Sequence, residues 1–329
     1  MRRRPACILL PAVALLAAAG CQPCPEKLVS LDQLVAEYNA NADAVPRLWA
    51  RAKLSVTLAD ADGASFTWGS TSPLAANNGL LLLAKGREKL GPHDFVLIGR
   101  ETLAVELFRL GSSTAEGVYY LWFRLGDRGG AWFGRHAYAG APGIRQMPID
   151  PMQLLSVLGV CALPEDATRL PAVAVSMQTT PGDCAYVVTY VDRQPVTGRI
   201  LFQREVYFRW SNTEPRRAYK VNLLDPAGRR VMTARLKDYR PIDVSELDDP
   251  PPAQPIMPTN IEIVSNPLPG VKVSVKRIHM VLSEMTTKDI WERQQCRFDA
   301  ARPGEIVPVQ VDAHIRPEKP PKPEAGRQR

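Results

Sequence analysis

Residues 199–210, RILFQREVYFRW, alternate: Ile200, Phe202, Val206 and Phe208 fall on one side of an extended chain, and Gln203, Glu205 and Arg209 on the other. A period of two, with one apolar and one polar face, is the pattern of an antiparallel strand that covers a core and is wet behind. Segments 172–177 and 185–192 precede it and 218–224 and 231–239 follow it at short spacing, the last two joined by the tight turn Asp225-Pro226-Ala227-Gly228. Beyond a proline-rich connector at 249–258 come 260–264 and 271–282. In the latter, Val271, Val273, Val275 and Val281 oppose Lys272, Ser274 and Lys276, and His279 is placed on the apolar side.

The first half of the chain carries a second series. Segments 53–59 and 65–70 flank Asp62-Gly63, a strong hairpin signal. Segments 79–85, 94–100, 103–110 and 118–125 follow, and 132–138 is weakened by glycine. These strands differ in kind. In 118–125, VYYLWFRL, one face carries Tyr119, Leu121, Phe123 and Leu125 while the other still carries Tyr120 and Trp122, and Leu80 to Leu83 are consecutive leucines. A strand apolar on both faces must be covered on both, or must line something that is itself apolar. Helices are few. Ser30 with Gln33 makes a capping box before Leu31, Leu34, Val35 and Tyr38, which share one face; Asn39 to Asn41 and Pro46 limit that helix to roughly three turns. A second short helical piece is expected at Leu48 and Trp49. Asp150-Pro151 puts a cap and an N1 proline in the right order before Leu154, Leu155 and Leu158, with a stop near Gly159. The fold class is therefore mainly β (α+β): a large curved antiparallel sheet with an N-terminal helix and one mid-chain helix on its concave side.

The first residues, MRRRPACILLPAVALLAAAGCQPC, place three arginines before an apolar run from Ala6 to Ala19 that is too short to span a bilayer and has the layout of a secretory signal. Leu16-Ala17-Ala18-Ala19-Gly20-Cys21 resembles the lipobox of bacterial lipoproteins, with Ala18 where leucine is more usual. The resemblance implies that Cys21 is acylated and becomes the new N-terminus. Each buried acyl CH₂ contributes about 0.8 kcal/mol, so two or three chains would hold the protein to a membrane. Gln22, rather than an aspartate, after the cysteine favours the outer membrane, facing the periplasm. Of the 6 cysteines, Cys24, Cys161, Cys184 and Cys296 remain for an oxidising compartment and allow three pairings, of which Cys161 with Cys184 is the first expectation from proximity along the chain.

Apolar residues make up 45% of the 329, enough for a sizeable core, and 41 Lys+Arg against 34 Asp+Glu is a small, scattered excess rather than a nucleic-acid patch. The four histidines, His93, His136, His279 and His314, show no metal spacing. Gly111-Ser112-Ser113 is not a nucleophile elbow, and the glycines of 126–134 lack the lysine, serine and helix of a phosphate loop. No catalytic, cofactor or metal site is expected.

Four further features carry a resemblance: Leu31 to Asn39 running into Ala50-Arg51-Ala52-Lys53-Leu54; Pro148-Ile149-Asp150-Pro151 before an apolar helix; Asn222 to Arg229 with Leu236-Lys237-Asp238-Tyr239-Arg240-Pro241; and Met257-Pro258-Thr259-Asn260-Ile261-Glu262-Ile263. Together with the lipobox they resemble, over residues 30–285, the half-barrel superfamily of the bacterial lipoprotein-sorting system, LolA and LolB. The resemblance implies an apolar cavity between sheet and helices that takes lipid or lipoprotein acyl chains at about 25 cal/mol per Å² buried. Candidate lining residues are Trp68, Leu81, Leu83, Phe95, Leu97, Leu107, Leu121, Phe123 and Phe133. The family's gating arginine is not assignable, several arginines being equivalent.

The expected organisation is a signal peptide (1–20), a lipidated tether (21–29), the half-barrel (30–285), an extension of open structure (286–312) and a disordered Pro/Lys-rich tail (313–329). Three readings follow. An outer-membrane lipoprotein binding acyl chains requires an open apolar cavity. A scaffolding lipoprotein, working through contacts with other envelope proteins, requires large side chains closing it. An envelope hydrolase requires titratable groups gathered in a cleft.

Overall fold

A computed structural model describes residues 29–86, 92–101, 105–141, 143–165, 172–193, 200–209, 216–245, 247–266, 272–287, 296–298 and 306–315. Two helices, α1 (Leu31–Asp43) and α2 (Pro151–Val157), accompany the strands. The first half contributes β1 (Arg47–Asp60), β2 (Ser65–Gly69), β3 (Gly79–Ala84), β4 (Asp94–Arg100), β5 (Glu106–Ser113), β6 (Val118–Leu125) and β7 (Arg128–Arg135). The second contributes β8 (Ala172–Thr180), β9 (Ala185–Arg193), β10 (Ile200–Arg209), β11 (Ala218–Leu224), β12 (Arg230–Pro241), β13 (Ile256–Ser265), β14 (Val273–Thr286) and the short β15 (Val309–Gln310). They form one 15-stranded sheet in the order β15-β7-β6-β5-β4-β3-β1-β14-β13-β12-β11-β10-β9-β8, with β2 beside β1. Pairing is antiparallel except where β15 joins β7 in parallel.

The sheet curls because its strands are interrupted by bulges, which bend a strand and increase its twist. Register shifts occur at Arg51/Ala52 and Thr57/Leu58 in β1, at Gly99/Arg100 in β4, at Tyr207/Phe208 in β10 and at Leu223/Leu224 in β11. In β12, Asp238 takes φ 56° between the paired residues Lys237 and Tyr239. Inside the curl one core runs from Leu48, Leu54 and Leu58 of β1 through Phe108 and Leu110 of β5 to Phe208 of β10 and Ile278 of β14. Helix α2 packs on β5 and β6 on one side and on β11 on the other, bridging the two arms.

Helix α1 begins as expected, with Gln33 N–H donating to Ser30 Oγ at 3.2 Å, but the box closes on one side only, because the Gln33 amide turns to Glu37 instead. It runs further than the asparagines suggested. The Asn39 side chain exchanges two bonds with the Leu163 backbone (2.9 and 2.7 Å), and Asn41 does the same with Ile256 (2.9 and 2.8 Å). These amides dock the helix instead of breaking it. The helical piece expected at Leu48 and Trp49 is strand: Arg47 to Ala52 pairs with Ala84 to Gly79, and Leu48, Ala50 and Ala52 alternate into the core. Tertiary pairing overrides a local run that is ambiguous by itself. For α2, Asp150 Oδ1 accepts from Met152 N–H at 2.8 Å, and Gly159 (φ 77°) supplies the left-handed residue that ends it.

In β14 the bulge opposite Thr57/Leu58 changes the parity read from the sequence. Val275 stays in the core, whereas Val281 faces outward with Arg277 and His279. His279 is accordingly on the wet face, hydrogen-bonded to Thr71 Oγ1 (2.9 Å) and Asn260 Oδ1 (3.0 Å). One extra residue moves every later side chain to the other face.

The outer face has two regimes. Over β3 and β4, Leu82, Ala84, Val96 and Ile98 are buried with Cys296; over β6 and β7, Tyr120, Trp122 and Ala131 are buried under Phe298 and Ile306. Cys296, Phe298 and Ile306 thus lie on the outside of the first arm. The end of the described chain is pinned: Asp312 is fully buried and accepts from Arg135 N–H (2.8 Å) and Arg135 Nε–H (3.1 Å). Residues 313–315 belong to this turn, with Ile315 N–H donating to Asp312 O; the rest of the expected tail, 316–329, lies outside the described residues.

Candidate functional site

The concave interior is where the expected lining residues converge. Leu81, Leu83, Phe95, Leu97, Leu121 and Phe123, from β3, β4 and β6, all join the central core and are at most 1% exposed. Leu107 sits at the β4–β5 bulge, half-buried against the same core. Trp68 on β2 also packs there, and its indole lies where a Cβ on Gly99 would come within 2.8 Å. Only glycine admits the ring at that point, so Trp68 plugs the corner where β2 ends. Phe133 does not belong to this group: it faces outward and stacks on Phe298 with ring centres 5.0 Å apart. The glycines of β7 leave no clear parity in its sequence, so the face that Phe133 takes is set by the pairing with β6 and the contact with Phe298.

The interior is not wholly apolar. At the far arm Arg204 (β10) makes a 2.6 Å ion pair with Asp192 (β9) and donates to the Tyr190 hydroxyl at 3.1 Å. Both charged side chains are less than one-fifth exposed. Burial outweighs the attraction of Arg204 and raises the Asp192 carboxyl above its ordinary value; it pushes the Tyr190 hydroxyl up to about 12 and raises the Cys161 thiol. Tyr38 of α1 stands beside this group, edge-on to Phe208 at 5.5 Å. The sequence did contain a signal for it. Arg204 has the parity of Phe202, Val206 and Phe208, a charge inside an otherwise apolar row.

A second polar group lies at the near arm. Ser112 is fully buried, donates to the His93 carbonyl at 2.8 Å and lies 3.0 Å from His136 Nε2. With its proton given to a backbone carbonyl, Ser112 is a structural hydroxyl and not an exposed nucleophile. Burial lowers the His136 pKa, outweighing the neighbouring Asp94 and the Val118 carbonyl. The unfolded chain thus takes up the His136 proton first, and the stability present at and above pH 6.5 is lost as pH falls below it. His136→Gln is expected to lose less stability than the parent between pH 8 and pH 5 in urea titrations. Equal losses would mean that His136 does not carry this dependence.

A cavity of about 200 Å³ opens at the end of α1, lined by Asp43, Pro46, Lys85, Gly86, His93 and Ala162. It lies between α1, the start of β1, the end of β3 and the segment that follows α2. Among the described residues, no three His, Cys, Asp or Glu side chains gather to hold a metal, and no helix is long and apolar enough to cross a membrane. Cys161 carries a free thiol that points to the Leu155 carbonyl at 3.7 Å. Its expected partner Cys184, and the acylation candidate Cys21, lie outside the described residues.

These features define a curled half-barrel sheet with two helices on its concave side. No family model matches the sequence, and no curated protein sequence matches it. Several solved structures are similar to it, among them three that cover most of its length. One is described as an outer membrane lipoprotein-sorting protein domain from Vibrio parahaemolyticus (11% identity, TM-score 0.47, 82% of this chain and 97% of that one). A second is a DUF1329 family protein from Desulfovibrio piger (8% identity, TM-score 0.44, 82% and 96%). The third is a LolA superfamily protein from Nitrosomonas europaea (12% identity, TM-score 0.42, 83% and 100%).

Proposed function

We propose that this protein is an envelope lipoprotein, anchored through acylated Cys21, that takes an acyl chain between its curled sheet and the helices α1 and α2. The observation that carries the reading is the interior itself: one apolar surface spans both arms of the sheet, bridged by a helix of only 7 residues, with a small cavity at the junction of α1, β1, β3 and the chain after α2. That cavity, about 200 Å³, is below the 300–1,000 Å³ of ordinary ligand sites. The form described is then the closed one, and an acyl chain enters by displacing α2 or the end of α1. Asp192, Arg204 and Tyr190 place polar groups where a headgroup or ester would sit at one end.

The filled interior also favours a second reading, a scaffolding lipoprotein that binds no ligand and works through its surface. Native mass spectrometry of the protein isolated from the envelope separates the two. Added mass that matches phospholipid or fatty acid and vanishes on organic extraction supports acyl binding, as does slowed hydrogen exchange in α2 after lipid is added. A clean mass unchanged by lipid, with α2 exchange unaltered, supports the scaffold. Acylation is read separately, from the mass of the N-terminal peptide and its loss in Cys21→Ala.

A further inference from the structure

Among the described residues, none gives the outer face of the second arm the apolar cover found on the first, and that face is basic. By register, Tyr207, Lys220, Arg235, Glu262 and His279 form one row across β10 to β14. Arg209, Arg230, Lys237 and Arg277 flank it. The side chains of Arg235 and Arg277 are 58% and 50% exposed even though both contact Glu262, which each flanks from its own strand. Among the described residues the carboxylates on the strands of this face are Glu205, Glu262, Asp238 and Glu284, and each is engaged: Glu205 with Tyr207 and Asn222, Glu262 with its two arginines, Asp238 with Asn260, and Glu284 with Arg51 of β1. The surplus charge is therefore positive. Two cations are held over aromatic rings, Lys220 Nζ at 3.6 Å from the Tyr207 centre and the Arg209 guanidinium at 5.5 Å from that of Tyr219, and the two tyrosines meet edge-on at 6.2 Å. Cations fixed on tyrosines, on a broad sheet face, suit a plane of phosphate headgroups, where the rings sit at the polar interface and the cations meet the phosphates.

We propose that the outer face of β10 to β14 docks on the surface of an anionic phospholipid bilayer. The point at which the chain enters the fold agrees with this. The Val29 N–H is held by the Tyr186 hydroxyl on β9, next to β10. If Cys21 carries the lipid, the eight residue steps from it to Val29 reach at most about 28 Å, whereas strands lie about 4.8 Å apart. Tyr186 and Val29 belong to the concave core, so the tether must pass round the sheet to bring the anchor to the membrane plane of the basic face, a path within that reach. The docking surface does not depend on acyl binding inside the curl.

The test is flotation of the full-length protein with vesicles of phosphatidylcholine alone or with 30% phosphatidylglycerol, in about 50 and 500 mM salt. The quantity read is the ratio of binding to the anionic and the neutral vesicles, from which attachment through the N-terminus cancels. The parent protein should prefer the anionic vesicles at least tenfold at low salt and lose that preference at high salt. Arg230→Glu with Lys237→Glu should reduce the ratio at least twenty-fivefold, since each cation near the surface contributes about fivefold. Arg124→Glu, at an exposed arginine on the other arm, should leave the ratio near that of the parent. No preference in the parent, or an equal loss in Arg124→Glu, overturns the proposal. So does binding to soluble polyglutamate with the same dependence on Arg230 and Lys237 and none to vesicles, which would assign the face to an acidic protein. Failure here leaves native mass spectrometry of the interior untouched, so the two proposals fall separately.

Discussion

Tyr120→Ala is expected to lower the unfolding free energy by about 3–5 kcal/mol, the range for removing a large, fully buried aromatic side chain. Tyr120 is 0% exposed on the outer side of β6, its hydroxyl donates to the Cys296 carbonyl at 2.8 Å, and its ring packs on Phe298 at 5.3 Å. The side chain thus joins the first arm to the returning C-terminal segment. Tyr120→Phe removes only the hydrogen bond and should cost about 1 kcal/mol. Urea unfolding measures both. Limited proteolysis supplies the second reading, since Tyr120→Ala should release a C-terminal fragment under conditions in which the parent and Tyr120→Phe stay whole. A loss below about 1 kcal/mol for Tyr120→Ala would show that the segment is not part of the folded unit.

Asp192→Ala is expected to cost a similar amount, about 3–5 kcal/mol, because it leaves the Arg204 guanidinium in the interior without its carboxylate. The control is the double variant Asp192→Ala with Arg204→Met, which removes both charges and should recover most of the loss. Double-mutant analysis of urea unfolding isolates the pair term. The pH dependence supplies an independent check. The folded Asp192 carboxyl is raised above its unfolded value, so the folded chain holds the proton more tightly. Its stability contribution is full below the ordinary aspartate range and declines as pH rises through the raised value. Asp192→Asn should abolish that decline. If the single and double variants were equally destabilised, the pair would be a surface feature with no share in the interior.

Much of the architecture is legible because a strand that covers a core on one side must alternate. The positions of β4, β6 and β11 follow directly from 94–100, 118–125 and 218–224, and the cap at Asp150 locates α2 to within a residue. Errors arise where local pattern is ambiguous or where one residue changes register. Leu48 and Trp49 read equally well as helix or strand until β3 pairs with them. The bulge in β14 turns His279 outward, and nothing in KVSVKRIHMV announces it.

The candidate site divides in the same way. Six of the nine expected lining residues meet in the concave core because apolar parity on neighbouring strands sums to one surface. Arg204, by contrast, was visible as a misplaced charge, but its partner Asp192 lies on another strand, and only pairing brings the two within 2.6 Å.

Hydrophobic period, hairpin turns and caps are local properties of neighbouring residues, so the pattern along the chain specifies a large antiparallel sheet with an N-terminal and a mid-chain helix. It also shows that strands 80–83 and 118–125 need cover on both faces. Only the tertiary structure decides what covers them. The helices lie inside and the residues around Cys296, Phe298 and Ile306 outside, more than 170 positions away from Tyr120. Such contacts depend on how bulges curl the sheet and on where a distant segment returns, and no local pattern encodes either.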